Sequence, residues 1–146
     1  MPNIDKKLTQ SVRESIDALV RAFKIDEGVT SGGVKVKMNP PDMHALMYIS
    51  QYPKCMANKL SGFLGVAPTT VSSIIDRLVK KQLITRSRTE GNRRIVQLEL
   101  TFAGKTAANA IKQEQLSHCE EMLLPLNEDE RAMFASLLKK TTQDLS

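Results

Sequence analysis

Apolar side chains recur at spacings of three and four residues in several stretches of the chain, and they alternate with polar ones in one stretch. The first stripe covers residues 4–23 and predicts a helix of about five turns with one apolar face. Its apolar members are Ile4, Leu8, Val12, Ile16, Leu19, Val20 and Phe23. So long a stripe needs a partner, inside this chain or in a second copy, and we favour a second copy.

Residues 26–38 predict a loop, because Gly28, Gly32 and Gly33 interrupt any regular period. A second helix should begin after Asn39, which can cap it, with prolines in its first positions and Asp42 in its first turn. The predicted apolar face consists of Met43, Leu46, Met47 and Ile49, and Pro53 ends the helix.

Two further amphipathic segments are separated by only a few residues, which is typical of a helix-turn-helix. The first has the apolar positions Met56, Leu60, Phe63 and Leu64. Gly65 follows it, as expected where a helix ends in the left-handed conformation. The second begins at Pro68 and has an apolar stripe made of Val71, Ile74, Ile75, Leu78 and Val79.

The polar face of this second segment starts with short hydroxyl side chains. Thr69, Ser72 and Ser73 lie on it, with Thr70 on its flank. Such side chains suit close approach to a base edge or a phosphate, and they equally suit a polar helix start chosen for capping. In a DNA-binding helix-turn-helix, the second helix enters the major groove with its N-terminal residues at the bases.

A β-hairpin is predicted next. Val96, Leu98 and Leu100 alternate with polar residues, as in a half-buried strand, and Leu83 and Ile84 begin the partner strand. The segment 89–92 (TEGN) should form the turn around its Gly91-Asn92 pair. Four arginines flank this turn, namely Arg86, Arg88, Arg93 and Arg94.

Two C-terminal helices complete the chain. Thr101 resembles an N-cap for a helix of residues 102–124 that Pro125 ends. Asn127 and Glu130 have the spacing of a capping box for the last helix. Apolar positions of these helices include Met122, Leu123, Met133, Phe134, Leu137 and Leu138.

The distribution of charge along the chain indicates a class of function. Residues 76–94 contain seven Lys/Arg and two Asp/Glu residues and so carry +5, which equals the net charge of the whole chain. An excess confined to one helix end and one hairpin is expected of a phosphate-binding surface. Residues 105–146 contain five basic and seven acidic residues, which favours dimerisation over DNA binding for this part.

Other chemistry has little support in the sequence. There is no Gly-rich phosphate loop and no HExxH, GxSxG or CxxC motif, so we predict that the chain is not an enzyme. Two His (His44 and His118) and two Cys (Cys55 and Cys119) lack paired metal-ligand spacing, and we predict no metal. With a polar N-terminus and no long apolar run, we expect a cytoplasmic protein with no membrane partner.

Residues 60–104 resemble the MarR family of bacterial transcriptional regulators (multiple-antibiotic-resistance type). The matching segments are Leu64-Gly65-Val66, Thr70-Val71-Ser72, Asp76-Arg77-Leu78, Leu83-Ile84-Thr85-Arg86, Asn92-Arg93-Arg94 and Leu100-Thr101 with Gly104. Two positions depart from the family pattern. Asn92 stands where the family usually has an Asp that holds the wing arginine, and Ala67 stands where a capping Ser is frequent.

The resemblance implies a mainly α fold with a small β-hairpin wing. Residues 39–101 would form the winged helix-turn-helix DNA-binding region, and residues 1–38 with 102–146 the helical dimerisation region. A homodimer would repress transcription from a pseudo-palindromic operator with half-sites about one helical turn apart. A small phenolic or aromatic effector would release the DNA, and no permanently bound cofactor is implied.

The resemblance and the charge pattern together assign residues to each role. The expected contacts to double-stranded DNA come from Pro68, Thr69, Thr70, Ser72, Ser73, Arg77, Arg86, Arg88, Asn92, Arg93 and Arg94. Arg77 and Arg88 would hold phosphates and Arg94 would enter the minor groove. The expected dimer contacts come from Ile4, Leu8, Val12, Ile16, Met122, Leu123, Met133, Phe134, Leu137 and Leu138. The alternatives are a winged-helix protein–protein adaptor and a non-specific architectural DNA binder.

Overall fold

The computed structural model describes residues 2–23, 29–31, 34–36 and 38–145. The helices in this part are α1 (Lys6–Ala22), α2 (Pro40–Gln51), α3 (Ala57–Leu64), α4 (Pro68–Lys80), α5 (Phe102–Leu123) and α6 (Glu128–Thr142). The strands are β1 (Val29–Ser31), β2 (Val34–Val36), β3 (Cys55–Met56), β4 (Ile84–Thr89) and β5 (Asn92–Leu100). The predicted fold, mainly helical with a small β-hairpin wing, is confirmed.

Helix ends follow the local chemistry of the sequence. Gly65 ends α3 with a φ of 66°, in the left-handed region that favours glycine. The Asn39 side chain accepts the backbone N–H of Asp42 at the start of α2, at 2.9 Å. Asn127 and Glu130 form the predicted reciprocal capping box of α6. At α4 the N-cap residue Ala67 supplies no side-chain hydrogen bond, so that helix starts on Pro68 alone.

The wing consists of β4, β5 and their turn, and it belongs to a three-stranded antiparallel sheet in the order β3-β5-β4. The sequence did not reveal β3, whose Cys55 lies opposite Leu98. The predicted turn pair Gly91-Asn92 is wrong by one residue, because Asn92 already lies in β5 opposite Thr89. Gly91 adopts a φ of 92°, so the turn consists of Glu90 and Gly91.

The hydrophobic core joins α2, α3, α4, α5 and the wing sheet. Its fully buried large side chains are Leu46, Ile49, Leu60, Ile74, Leu78, Ile84, Leu98 and Ile111. Gly104 brings α5 against the end of α4, since a Cβ on it would lie 1.9 Å from the carbonyl oxygen of Leu83. The core therefore crosses the predicted boundary at residue 101 and includes the first half of α5.

The predicted loop over residues 26–38 is wrong in part. The strands β1 and β2 pair antiparallel, with Val29 opposite Val36 and Ser31 opposite Val34. Valine-rich segments on both sides of Gly32-Gly33 are a hairpin signal, and reading only the glycines hid it. Those glycines, Gly28 and the rest of the predicted loop up to residue 37 lie outside the described residues, whereas Met38 is buried in the core.

Helices α1 and α6 contain no buried residues. On α1, Leu8, Val12 and Ile16 are 60%, 51% and 53% exposed. Ile4, which precedes the helix, is also exposed, as are Met133, Leu137 and Leu138 of α6. Phe134, Met122 and Leu123 are partly buried. Packing inside one chain therefore leaves most of both apolar stripes uncovered.

Candidate nucleic-acid interface

Helix α4 presents a hydroxyl-rich face to solvent. Its buried stripe of Val71, Ile74, Ile75 and Leu78 holds one side against the core. Thr69, Thr70, Ser72 and Ser73 are exposed on the other side, close to Pro68. The hydroxyls of Ser72 and Ser73 donate to the backbone carbonyls of Pro68 (3.1 Å) and Thr69 (3.3 Å). Each hydroxyl oxygen keeps acceptor capacity toward an approaching donor.

Arg77, one of the predicted phosphate ligands, forms a bidentate ion pair with Asp42 of α2. Its Nε donates to Oδ2 at 3.0 Å and its Nη2 to Oδ1 at 2.8 Å. The Asp42 side chain is 1% exposed and the Arg77 side chain 45% exposed. The hydrogen bonds to Asp42 raise the pKa of the Arg77 guanidinium above its ordinary value, so the charge is permanent.

A second ion pair connects α4 with the wing. Arg86 of β4 donates to the Asp76 carboxylate at 2.6 Å, and both side chains are at least half exposed. Arg86 and Arg88 share one face of β4, since side chains two residues apart point the same way. Between α4 and the wing lies an open cleft of about 520 Å³, lined by Ala57, Ser72, Ile75, Arg86, Ser87, Arg88 and Val96.

The tip of the wing contains an irregular register. Arg88 lies opposite Val96, whereas the adjacent Thr89 lies opposite Asn92, so residues 93–95 have no counterparts on β4. Such a bulge re-aims the side chains it contains. The Asn92 side chain accepts the backbone N–H of Arg94 at 3.0 Å. Asn92 therefore orders the backbone of Arg94, and Arg94 is an exposed residue. The Arg93 side chain lies outside the described part of the structure.

The structure places Ser72 of α4 and Arg86 and Arg88 of β4 around one cleft, whereas the other hydroxyl residues of α4 lie outside its lining. It adds Ser87 and Ala57, which carry no motif. It also adds Asp42, which the sequence marked only as a first-turn acid of a different helix. No local signal could pair Asp42 with Arg77, because 35 residues separate them.

A separate groove lies where α2, α3 and α5 meet the end of α1. It has a volume of about 950 Å³, and its lining includes Phe23, His44, Met47, Tyr48, Phe63, Lys112, Leu116 and Cys119. The ring centroid of Tyr48 lies 4.6 Å from that of Phe63 and 4.8 Å from that of Tyr52. This aromatic wall with one ammonium group fits a planar, acidic organic molecule.

The two cysteines differ in environment. Cys119 is exposed on α5, whereas Cys55 is half-buried in β3. Burial raises the pKa of the Cys55 thiol, which lowers its thiolate fraction and its reactivity. Among the described residues there is no group of three or more His, Cys, Asp or Glu side chains arranged to hold a metal ion.

No helix in the described part of the chain has both the length and the apolar character needed to cross a bilayer.

Comparison with known proteins gives a family match for the middle of the chain. The model of the MarR family matches residues 38–96, which include α2, α3, α4 and most of the wing. The chain is 23% identical over 137 residues to the HTH-type transcriptional repressor MdtR of Bacillus subtilis (strain 168), covering 94% of this chain and 87% of MdtR.

Two solved structures extend the comparison. FabT of Streptococcus pneumoniae, solved in complex with DNA, is 25% identical, with a TM-score of 0.80 over 94% of this chain and 96% of FabT. PcaV of Streptomyces coelicolor, solved with its natural ligand, shares the fold at 18% identity, with a TM-score of 0.63 over all of both chains. The family match, the hydroxyl-bearing helix and the basic wing agree: residues 38–96 of this chain match the winged helix-turn-helix region of the MarR family of DNA-binding transcriptional regulators.

Proposed function

We propose that this protein is a homodimeric repressor of a pseudo-palindromic operator, released by a small phenolic or aromatic effector. The observation that carries the proposal is the uncovered apolar stripe of α1 and of the residue Ile4 before it. Its members Ile4, Leu8, Val12, Ile16 and Val20 are each more than half exposed. Contiguous apolar surface of this kind marks an interface. A two-fold pairing of it presents two copies of α4 to one duplex.

The dimer forms through residues 1–38 and 102–146, and residues 39–101 carry the DNA contacts. Residues 105–146 carry a net charge of −2, whereas residues 76–94 carry +5, so the C-terminal helices repel phosphate where the wing attracts it. Repression is supported by the likeness to MdtR, which is named a repressor. A regulator of this kind works in the cytoplasm, on the nucleoid.

On DNA, each α4 enters a major groove with Pro68, Thr69, Thr70, Ser72 and Ser73 near the bases. Arg77, Arg86 and Arg88 face phosphates along the cleft between helix and wing. Asn92, Arg93 and Arg94 form the tip of the wing, which enters the adjacent minor groove. A narrow, A·T-rich minor groove attracts an inserted arginine through its enhanced negative potential.

The effector binds in the groove between α2 and α5. PcaV, which shares this fold, was solved with a natural ligand, and here Tyr48, Phe63 and Lys112 offer stacking and a cation. The effector must bind the DNA-incompetent spacing of the two α4 helices more tightly than the competent one, since otherwise it shifts nothing.

Selection of bound duplexes from a random pool at near-physiological salt tests the DNA-binding part. We expect an inverted repeat with half-sites about one helical turn apart. In the same selection, Ser73→Ala should change the preference at one half-site position, and an unchanged repeat would remove Ser73 from the base contacts. Retention without any enriched sequence would instead indicate an architectural binder, and no retention would indicate an adaptor.

Titration of the protein–operator complex with a panel of phenols and aromatic carboxylates tests the effector part. We expect one compound class to release the duplex, and Lys112→Met to abolish that release without weakening the operator complex. Release that survives Lys112→Met and Phe63→Ala together would place the effector elsewhere.

A further inference from the structure

Asp42 lies in an unusual place for a carboxylate. It is the third residue of α2, and it is the one charged side chain buried among the described residues. Unpaired N–H groups and the helix dipole favour a negative charge at this position. Both of its oxygens are used by Arg77, and its backbone N–H is held by Asn39.

Arg77 lies on the exposed face of α4 whose first residues are proposed to contact the DNA bases. Thr70, Ser73 and Arg77 are spaced by three and four residues and so lie on one face of the helix. Arg77 stands about 6 Å farther along the axis than Ser73, which places it beside the backbone of a duplex whose bases the earlier turn contacts. Its guanidinium is held on one edge by Asp42, while nearly half of the side chain is exposed.

A buried ion pair is weak evidence for stability, because desolvation offsets much of its attraction. A free arginine has many rotamers, and immobilising it on a phosphate costs binding free energy. A bidentate partner that fixes the side chain in advance removes that cost. We propose that Asp42 is a positioning residue that holds Arg77 ready for a DNA phosphate; this rests on the proposed function.

The contrast with Asp76 shows what the burial of Asp42 adds. Asp76 lies one residue before Arg77 on the same helix and pairs with Arg86, but its side chain is 62% exposed. Exposed pairs of this kind hold their partners only loosely. Asp76 therefore acts on DNA mainly as a negative charge near the phosphates, whereas Asp42 acts through Arg77.

The test measures duplex affinity and its salt dependence for wild type, Asp42→Asn, Asp76→Asn, Arg77→Ala and the double variant Asp42→Asn/Arg77→Ala. The expected loss for Asp42→Asn is about tenfold for a dimer, since each subunit loses one immobilised side chain. The salt slope should become shallower by up to about two units, the value for two phosphate contacts. Asp76→Asn removes the same charge and should bind more tightly.

Two further readouts separate positioning from a general structural role. Arg77→Ala should lose as much duplex affinity as Asp42→Asn. The double variant should lose no more duplex affinity than Arg77→Ala alone. The sequence selected by Asp42→Asn should equal that selected by wild type, because the base contacts of Thr69 and Ser73 stay in place. Thermal unfolding of each variant confirms that all measurements are made on folded protein. Arg77→Ala alone leaves the buried Asp42 carboxylate without its partner, and the double variant removes that charge.

Equal or tighter binding by Asp42→Asn, as for Asp76→Asn, would overturn the proposal, and so would additive losses in the double variant or an altered selected sequence. The affinities are measured on whichever duplex wild type retains, selected or random. A wild type that enriches no sequence therefore overturns the proposed operator without affecting the comparison of Asp42 variants. A wild type that retains no duplex overturns both.

Discussion

Helices α4 and α1 carry equally clear apolar stripes, but only α4 covers its stripe inside the chain. Ile74 and Leu78 of α4 are fully buried, while Val12 and Ile16 of α1 are more than half exposed. The same spacing of apolar residues thus produces a core helix in one place and an unpartnered helix in the other. The pattern specifies which face must leave water, and it does not specify what covers that face.

This difference divides the molecule by what each part needs. The DNA-binding lobe, which we define as α2, α3, α4, the wing sheet and the start of α5, encloses its own core. The terminal helices α1 and α6 have no buried residue of their own. We therefore expect substitutions in the first region to act on folding or on DNA contacts, and substitutions in the second to act on assembly.

The largest effect is expected from Val12→Glu. It places a charge in the middle of the α1 stripe of both subunits, where pairing would bury it without a partner. We expect dimer affinity to fall by at least about a hundredfold, and DNA affinity with it. Sedimentation velocity and duplex titration measure the two effects.

Gln10→Glu is the matched control for Val12→Glu, because it adds the same charge on the opposite face of α1. It should leave the sedimentation coefficient unchanged. A Val12→Glu protein that sediments as wild type would contradict the assignment of this stripe to the interface.

Gly104→Ala tests whether the lobe core is as closely packed as it appears. The added methyl group would meet the Leu83 carbonyl oxygen at 1.9 Å, so backbone must move. We expect the free energy of unfolding to fall by about 3 kcal/mol, as for strong overpacking. Urea denaturation at a fixed protein concentration measures it.

Gly62→Ala is the control, since nothing lies within 4 Å of the added atom on the same lobe. Replacing a glycine inside α3 by alanine should raise stability by about 0.5–1 kcal/mol. Equal effects of the two substitutions would mean that α5 does not dock against Leu83 as described.

Arg94→Ala tests the DNA face of the lobe with folding left intact, since the side chain is exposed. We expect weaker duplex binding and a salt slope that is shallower by one phosphate equivalent or less per subunit. Lys139→Ala, which removes the same charge from the last turn of α6, should leave both quantities as they are. An unaltered slope for Arg94→Ala would make the wing assignment wrong.

The smallest effect concerns the two thiols. Because burial raises the pKa of Cys55, its thiolate fraction at pH 8 is lower than that of an ordinary thiol. Iodoacetamide should alkylate Cys55 several-fold more slowly than an unperturbed thiol, and its rate should keep rising to higher pH. The single variant Cys119→Ser isolates Cys55 for this measurement, and a rate equal to that of free cysteine would contradict the described burial.

Short-range chemistry made much of this fold predictable. A helix cap acts over three residues, and the Asn127/Glu130 pair and the Asn39 cap appear where their spacing indicated. The conformation of Gly65 follows from its missing side chain alone. Even the error at the wing turn is local, since Gly91 has the positive φ and the predicted pair was displaced by one residue.

The strand β3 and the register of the wing were beyond such reasoning. Cys55 and Met56 are too short a segment for a hydrophobic pattern to predict a strand. They form a strand only because β5 offers an open edge for pairing. Likewise the bulge at residues 93–95 depends on how β5 meets β4. Both features depend on how two separate segments of the chain pair with each other, and no local preference of either segment selects its partner.

By itself, the sequence determined which segments are helical, where they begin and end, and that the excess charge lies on residues 76–94. Caps, glycines and apolar periods act within one or two turns, so a short stretch of sequence is enough to specify them. Only the tertiary structure decided that Arg77 pairs with Asp42, that α5 joins the lobe core, and that α1 and α6 leave most of their apolar stripes exposed. These outcomes depend on which faces meet across the folded chain, and packing selects them through burial and close contact.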